Sequence, residues 1–258
     1  ITRAVIVVHG ASRTADEYFQ AGLAAALLGE SLDTSVVVAP RFSANNGNCR
    51  DSLADDEANW VCGGPDRWTN GGKEMGAGSN TSFDAMDQLL RKLTRKDAFP
   101  NLKTIVVAGF SAGGQFVNRY GMANTVHDQL GVKVSYVVAN PSSYTYPEAL
   151  RPTSAAYPVS AALPGYMPEP PKEKFSAFQD RAGCVNYDSW PYGLKSRTGY
   201  AARVSDEALK KQLVERPVTY LIGEMDIIPA YGMDDSCAGN AQGPTRLARG
   251  IAYTERLR

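Results

Sequence analysis

The chain has 258 residues, enough for one sizeable α/β domain, and its 43% apolar content can furnish a core. Basic and acidic residues balance at 27 each, so the net charge gives no support to nucleic acid as a partner. The richest apolar run, residues 23–28, is far shorter than a membrane span, which excludes a membrane-inserted helix.

Residues 4–8 (AVIVV) form a continuous β-branched run, the pattern of a strand buried on both faces, and lead into His9-Gly10. Thr14-Ala15-Asp16-Glu17 reads as a capping box that opens a helix to about Gly29. Residues 36–39 predict a second short strand, stopped by Pro40. From 41 to 81 the sequence has little periodicity and much Gly, Asn and Asp, which predicts a long loop. Phe83, Met86, Leu89, Leu90 and Leu93 then share one helical face.

Residues 104–108 (TIVVA) predict the third strand, followed by Gly109-Phe110-Ser111-Ala112-Gly113-Gly114 and by helical spacing at Phe116, Val117, Tyr120, Ala123 and Leu130. Residues 134–139 and 218–222 predict the fourth and fifth strands, and a last helix runs to the end with Pro244 near its first turn. Strands alternating with helices mean a parallel sheet with right-handed crossovers, in a single domain over 1–258. The Pro-rich, aromatic stretch 141–217 reads as an insertion that covers the carboxyl end of the sheet like a lid. Tyr144, Tyr146, Tyr187, Trp190 and Tyr192 are candidates to line a cleft there, with packing inside the insertion as the alternative.

Cys49, Cys62, Cys184 and Cys237 all fall in loop-like segments and allow three pairings. Proximity favours Cys49–Cys62, which leaves Cys184–Cys237; four free thiols in a cytosolic protein are the alternative. Bridges imply an oxidising compartment, so a secreted or periplasmic protein is expected. There is no Cys-x-x-Cys pair, and only His9 and His127 could add imidazole ligands, so neither a zinc site nor a cofactor is implied.

Gly109-x-Ser111-x-Gly113, placed between a buried-strand run and a helix, has the context of a nucleophile elbow with Ser111 as nucleophile. A strained strand-to-helix turn needs neighbours without bulk, and the helix N-terminus behind it favours developing negative charge. The turn His9-Gly10-Ala11 follows the first strand at the same end of the sheet. The backbone N–H groups of Ala11 and Ala112 are therefore the candidate oxyanion donors, and His9 reads as a structural residue bonding loop backbone.

A strand ending in His-Gly, a strand–G-x-S-x-G–helix unit and an acid after a later strand together resemble the α/β-hydrolase superfamily over most of the chain. HGASRTADEYF, GFSAGGQ, ANPSSY and GEMD look similar to secreted esterase-like hydrolases. The resemblance implies a three-layer fold with a mostly parallel sheet, helices on both faces and the chain order nucleophile, acid, histidine. Asp226, just past the fifth strand, takes the acid's place, with Glu224, Asp234 and Asp235 as nearby competitors.

The sequence departs from that pattern in one respect: no histidine follows Asp226. His127 lies sixteen residues beyond Ser111, about 24 Å along a helix and out of hydrogen-bond reach. The superfamily pattern places the catalytic histidine after one more strand, beyond Arg258, and both ends of the chain read as clipped. The implied activity is cleavage of carboxylic esters, small or polymeric, through an acyl-enzyme on Ser111. An amidase or peptidase on the same scaffold, and a non-catalytic binding protein that retains the fold, are the alternatives.

Overall fold

A computed structural model describes residues 1–153, 175–178, 183–229 and 232–258. In chain order its elements are β1 (Arg3–Val8), α1 (Ala15–Leu28), β2 (Ser35–Val38), α2 (Ser82–Leu93), β3 (Thr104–Phe110), α3 (Ala112–Ala123) and β4 (Lys133–Ala139). They continue with β5 (Leu150–Pro152), β6 (Phe175–Ala177), α4 (Asp206–Glu215), β7 (Val218–Leu221), α5 (Cys237–Asn240) and α6 (Arg246–Leu257).

Five strands pair in the order β2-β1-β3-β4-β7, all parallel, while β5 and β6 form a separate antiparallel pair. The register sets Val8 beside Gly109, Phe110 beside Ala139 and Ala139 beside Leu221. The loops after β1, β3, β4 and β7 therefore leave the sheet at one common edge, where ligands bind in open α/β sheets.

Helices cover both faces. Gly22 of α1 lies so close to Val37 and Val7 that a β-carbon there would sit 2.7 Å from Val37 and 3.0 Å from Val7. On the opposite face Gly121 of α3 approaches the Tyr136 ring, and Ile6, Ile105, Val107 and Val138 are fully buried. Every residue of α3 is buried. Its Phe116 packs against the rings of Phe42, Trp68, Phe83 and Tyr120. Truncating such a side chain to Ala costs about 3–5 kcal/mol, so this cluster is a main anchor of the layer.

Several sequence-based expectations shift. Thr14 precedes α1, but its hydroxyl donates to Glu17 at 2.7 Å and caps no backbone N–H. The capping box that does form is at α2, where the Thr81 hydroxyl accepts from the Asp84 N–H and the Asp84 carboxylate accepts from the Thr81 N–H. Thr245 caps α6, so the helix begins at Arg246, two residues later than expected, with Pro244 just before the cap.

The stretch 141–217 contains an ordinary crossover helix, α4, whose Leu209 and Leu213 are buried in the main core. Trp190, Leu194, Tyr200 and Val204 join that core as well. Residues 154–174 and 179–182 of the expected lid lie outside the described residues.

Cys49–Cys62 and Cys184–Cys237 are both bridged, which is the pairing that proximity favours, and no described cysteine is free. The first bridge pins the long loop after β2; the second ties the segment before Tyr187 to α5. A Cys49→Ser/Cys62→Ser variant is expected to lose about 3 kcal/mol in urea denaturation, the loop-closure value for a ring of that size. Non-reducing peptide mapping should recover both bridges, and free thiols at these positions would contradict the pairing.

Candidate active site

The turn between β3 and α3 is built by close backbone approach. Ser111 holds φ 57° and ψ −116°, a left-handed conformation that costs on the order of 1–3 kcal/mol and persists only when its surroundings enforce it. The enforcement is visible. The Ser111 N–H donates to Ala139 O at 3.0 Å, and the Ser111 carbonyl accepts from the Gln115 N–H at 3.0 Å.

Three glycines remove bulk around it. A β-carbon at Gly109 would lie 2.2 Å from Gly113 O, one at Gly113 would lie 2.1 Å from Val8 O, and one at Gly114 would lie 2.6 Å from Ala139 O. The ends of β1, β3 and β4 are thus brought to van der Waals contact behind Ser111. The serine stands half-buried, just ahead of a helix N-terminus with no acidic side chain in its first turn.

The turn after β1 lies beside this one, because Gly113 approaches both Val8 O and His9 O. Ala11 is exposed in that turn, and Ala112 is the buried first residue of α3. Arg13 fixes the turn from outside, pairing with Asp51 at 2.6 Å while also donating to Ala11 O.

Asp226 follows β7 in a turn closed by its own N–H to Gly223 O at 3.1 Å. Its carboxylate accepts from Asn140 Nδ2 at 3.2 Å and pairs with Arg246 at 3.3 Å. Asn140, next to the Ala139 that holds Ser111, also accepts from the Gly223 N–H at 2.7 Å. Ser111 and Asp226 therefore share one edge of the sheet through adjoining backbone. Of the competing acids, Glu224 and Asp235 are exposed, and Asp234 is occupied by the hydroxyls of Tyr192 and Ser236.

Neither histidine is placed to act as a base for Ser111. His9 is fully buried; its Nε2 accepts from the Phe42 N–H at 2.9 Å, which leaves Nδ1 to donate to Gly10 O at 2.9 Å. Burial drives its pKa from 6.5 down to about 4. His127 opens a short turn beyond the far end of α3, with Nδ1 3.0 Å from the Tyr136 hydroxyl.

The aromatic residues expected to line a cleft divide. Trp190 and Tyr192 border a cavity of about 450 Å³ beside α3, which is also walled by Arg67, Gln115, Arg119 and Asp234. Tyr144 and Tyr146 instead lie buried in the core, with Tyr144 stacked on Tyr253 at 4.4 Å and Tyr146 edge-on to the same ring, and neither borders this cavity. Tyr187 packs on Phe178 in a small cluster near the Cys184 bridge.

Asn140, Gln115 and Arg119 were not singled out from the sequence. Asn140 carries a signal, since it stands directly between a strand and Pro141 and adopts φ 41°. The polar residues of α3 carry none, because nothing local announces a helix enclosed on all sides. Among the described residues no group of three or more His, Cys, Asp or Glu is placed to hold a metal ion.

Strand order, parallel register and helices on both faces make a doubly wound three-layer α/β fold, and with the strand–Ser111–helix turn at its carboxyl edge it matches the α/β-hydrolase architecture. No family model matches the chain, and no curated protein does. Among solved structures it is similar to LpqC, a poly(3-hydroxybutyrate) depolymerase from Bordetella parapertussis, with 21% identity and a TM-score of 0.61. That match covers 99% of this chain and 66% of LpqC, so the chain spans just under two thirds of its neighbour's length. It is also similar to poly(aspartic acid) hydrolase-1 from Sphingomonas sp. KT-1, with 22% identity and a TM-score of 0.58, over 99% of this chain and 74% of that one.

The buried, neutral His9 has a consequence for stability. Its folded pKa lies below its unfolded one, so its contribution is complete above about pH 6.5 and is lost as pH falls toward about 4. The loss amounts to at most about 3.5 kcal/mol, since each tenfold change in proton affinity is worth roughly 1.4 kcal/mol. His9→Gln keeps a donor and an acceptor but does not titrate, so its urea-denaturation free energy should fall less steeply between these pH values. Equal slopes for the two proteins would contradict the assignment.

Proposed function

We propose that this chain is the core of a serine hydrolase that cleaves carboxylic esters, with Ser111 as nucleophile and Asp226 as the acid of its triad. The observation that carries the reading is Ser111 itself, held at positive φ at the sheet's carboxyl edge and the head of a buried helix. Asp226, joined to the same edge through Asn140, supports it, and so do structural neighbours named as a depolymerase and a hydrolase.

In this mechanism Ser111 Oγ attacks the ester carbonyl while its proton passes to an imidazole. Charge accumulating on the carbonyl oxygen is met by the N–H groups of Ala11 and Ala112 and by the helix N-terminus. The carbonyl–alkoxy bond breaks as the imidazole returns the proton to the alcohol, leaving an acyl group on Ser111. Water, deprotonated by the same imidazole, attacks the acyl carbon and releases the acid. Asp226 holds the imidazole's tautomer and stabilises its protonated form. His9 spends both ring nitrogens on backbone and His127 lies beyond the far end of α3, so neither supplies the imidazole of this mechanism.

The substrate is a small or polymeric ester, and no metal or cofactor takes part. The two bridges support a secreted or periplasmic setting, and among the described residues no helix is long and apolar enough to cross a membrane. Amide cleavage is the second reading, favoured by the neighbour named for poly(aspartic acid).

Turnover of p-nitrophenyl esters by the full protein should fall on the order of a millionfold in Ser111→Ala and by a smaller factor, about ten-thousandfold, in Asp226→Asn. His127→Asn should leave it unchanged. Paired ester and anilide substrates separate esterase from amidase. Ester turnover that survives Ser111→Ala would overturn the proposal.

A further inference from the structure

The cavity beside α3 carries more positive charge than its walls neutralise. Arg119 is 1% exposed, and its guanidinium donates only to neutral acceptors: Asn70 Oδ1 at 2.8 Å, Ser143 Oγ at 3.1 Å, Gln115 Oε1 at 3.3 Å and Thr69. Its Nε is buried with no partner at all. Arg67, half-buried, donates to the same Gln115 Oε1 at 2.7 Å and to Thr69 Oγ1 at 2.7 Å. Two guanidiniums thus converge on one amide oxygen and one hydroxyl, and no carboxylate among the described residues hydrogen-bonds either of them.

Burial, and then the neighbouring Arg67, pull the Arg119 pKa down to about 9, so Arg119 stays cationic at neutral pH. Among the described residues Asp234 is the one acid in the cavity wall, and it is engaged by Tyr192 and Ser236. Two cations against one anion leave a single uncompensated positive charge, which suits a monoanion better than a doubly charged phosphate. Trp190, Pro191 and Tyr192 supply an apolar wall alongside. A buried cation without a counter-ion is costly, and a carboxylate offers a guanidinium its best-matched partner.

The cavity shares helix α3 with Ser111, although Ser111 does not itself line it. Gln115 is one helical turn past Ser111 and Arg119 two, about 6 and 12 Å along the axis. We propose that this cavity is a carboxylate subsite in which Arg67 and Arg119 hold the free acid group of a substrate whose ester is presented to Ser111. This rests on the hydrolase reading and narrows it: the preferred esters are half-esters of diacids or acid-terminated oligomers, with several atoms between the acid and the scissile carbonyl. Gln115 is the positioning residue, since both guanidiniums donate to its side-chain oxygen while its amide nitrogen donates to Ser142 Oγ.

Two measurements on the full protein test this. The first compares kcat/KM for mono-p-nitrophenyl esters of glutaric, adipic and suberic acid with that for p-nitrophenyl esters of monoacids of the same chain length. The charged-to-neutral ratio should exceed one for at least one length and drop by about tenfold to a hundredfold in Arg67→Gln and Arg119→Gln, with partial recovery in the Lys variants. The second is calorimetric binding of adipate and suberate to the Ser111→Ala protein, which reports the free acid without chemistry and should be lost with Arg67→Gln. Arg67 is only half-buried, so its variant keeps the test valid if Arg119→Gln fails to fold. A ratio of one or below in the wild type at every length, together with no diacid binding, would overturn the subsite. Diacid binding with no hydrolysis of either ester would keep the subsite and remove the hydrolase reading.

Discussion

The contact on which the site depends is the meeting of backbone with backbone at Gly113, where the α3 helix presses against the end of β1. With a β-carbon there only 2.1 Å from Val8 O, no other residue type would let the first turn of α3 sit so close to the sheet. That approach sets the turn at Ser111 beside the turn at Ala11, and Gly109 and Gly114 extend it to β3 and β4. The strain at Ser111 is held in place by the Ala139 carbonyl and by an α3 helix whose every residue is buried.

Around this joint the polar groups at the sheet's edge are mostly tied down. Asn140 bonds Asp226 and Gly223, so the loops after β4 and β7 are tied to each other. His9 spends both ring nitrogens on backbone and holds Phe42 under the aromatic cluster of α3. Arg249, fully buried, ties Ser142 O, Gly243 O and Asp234 O together from α6. Arg119 shares with Arg151 a buried, partnerless Nε and purely neutral acceptors, and what gives its charge a use is the cavity that it borders beside α3.

Much of this was legible in the chain. The β-branched runs locate β1, β3 and β4 within a residue or two, because strands buried in a parallel sheet need apolar side chains on both faces. The cysteine pairing followed from loop positions and proximity. The crossover helix α4 was hidden because its inward face amounts to Leu209 and Leu213 amid charged residues, within a stretch whose prolines read as irregular. Tyr144 and Tyr146 resembled cleft residues by composition, yet α6 brings Tyr253 against them and makes them core. Nothing local in the sequence marks Arg119 as buried. Its burial comes from the loop around Trp68–Asn70 and from Ser143, neither of which is near it in sequence.

The most direct test of the account is covalent labelling of the full protein with a fluorophosphonate, followed by intact mass and peptide mapping. One adduct per chain, located on the peptide that contains Ser111 and absent from Ser111→Ala, is the expected result. A protein that stays unlabelled while folded, or one labelled at another residue, would contradict the assignment of Ser111 as the nucleophile.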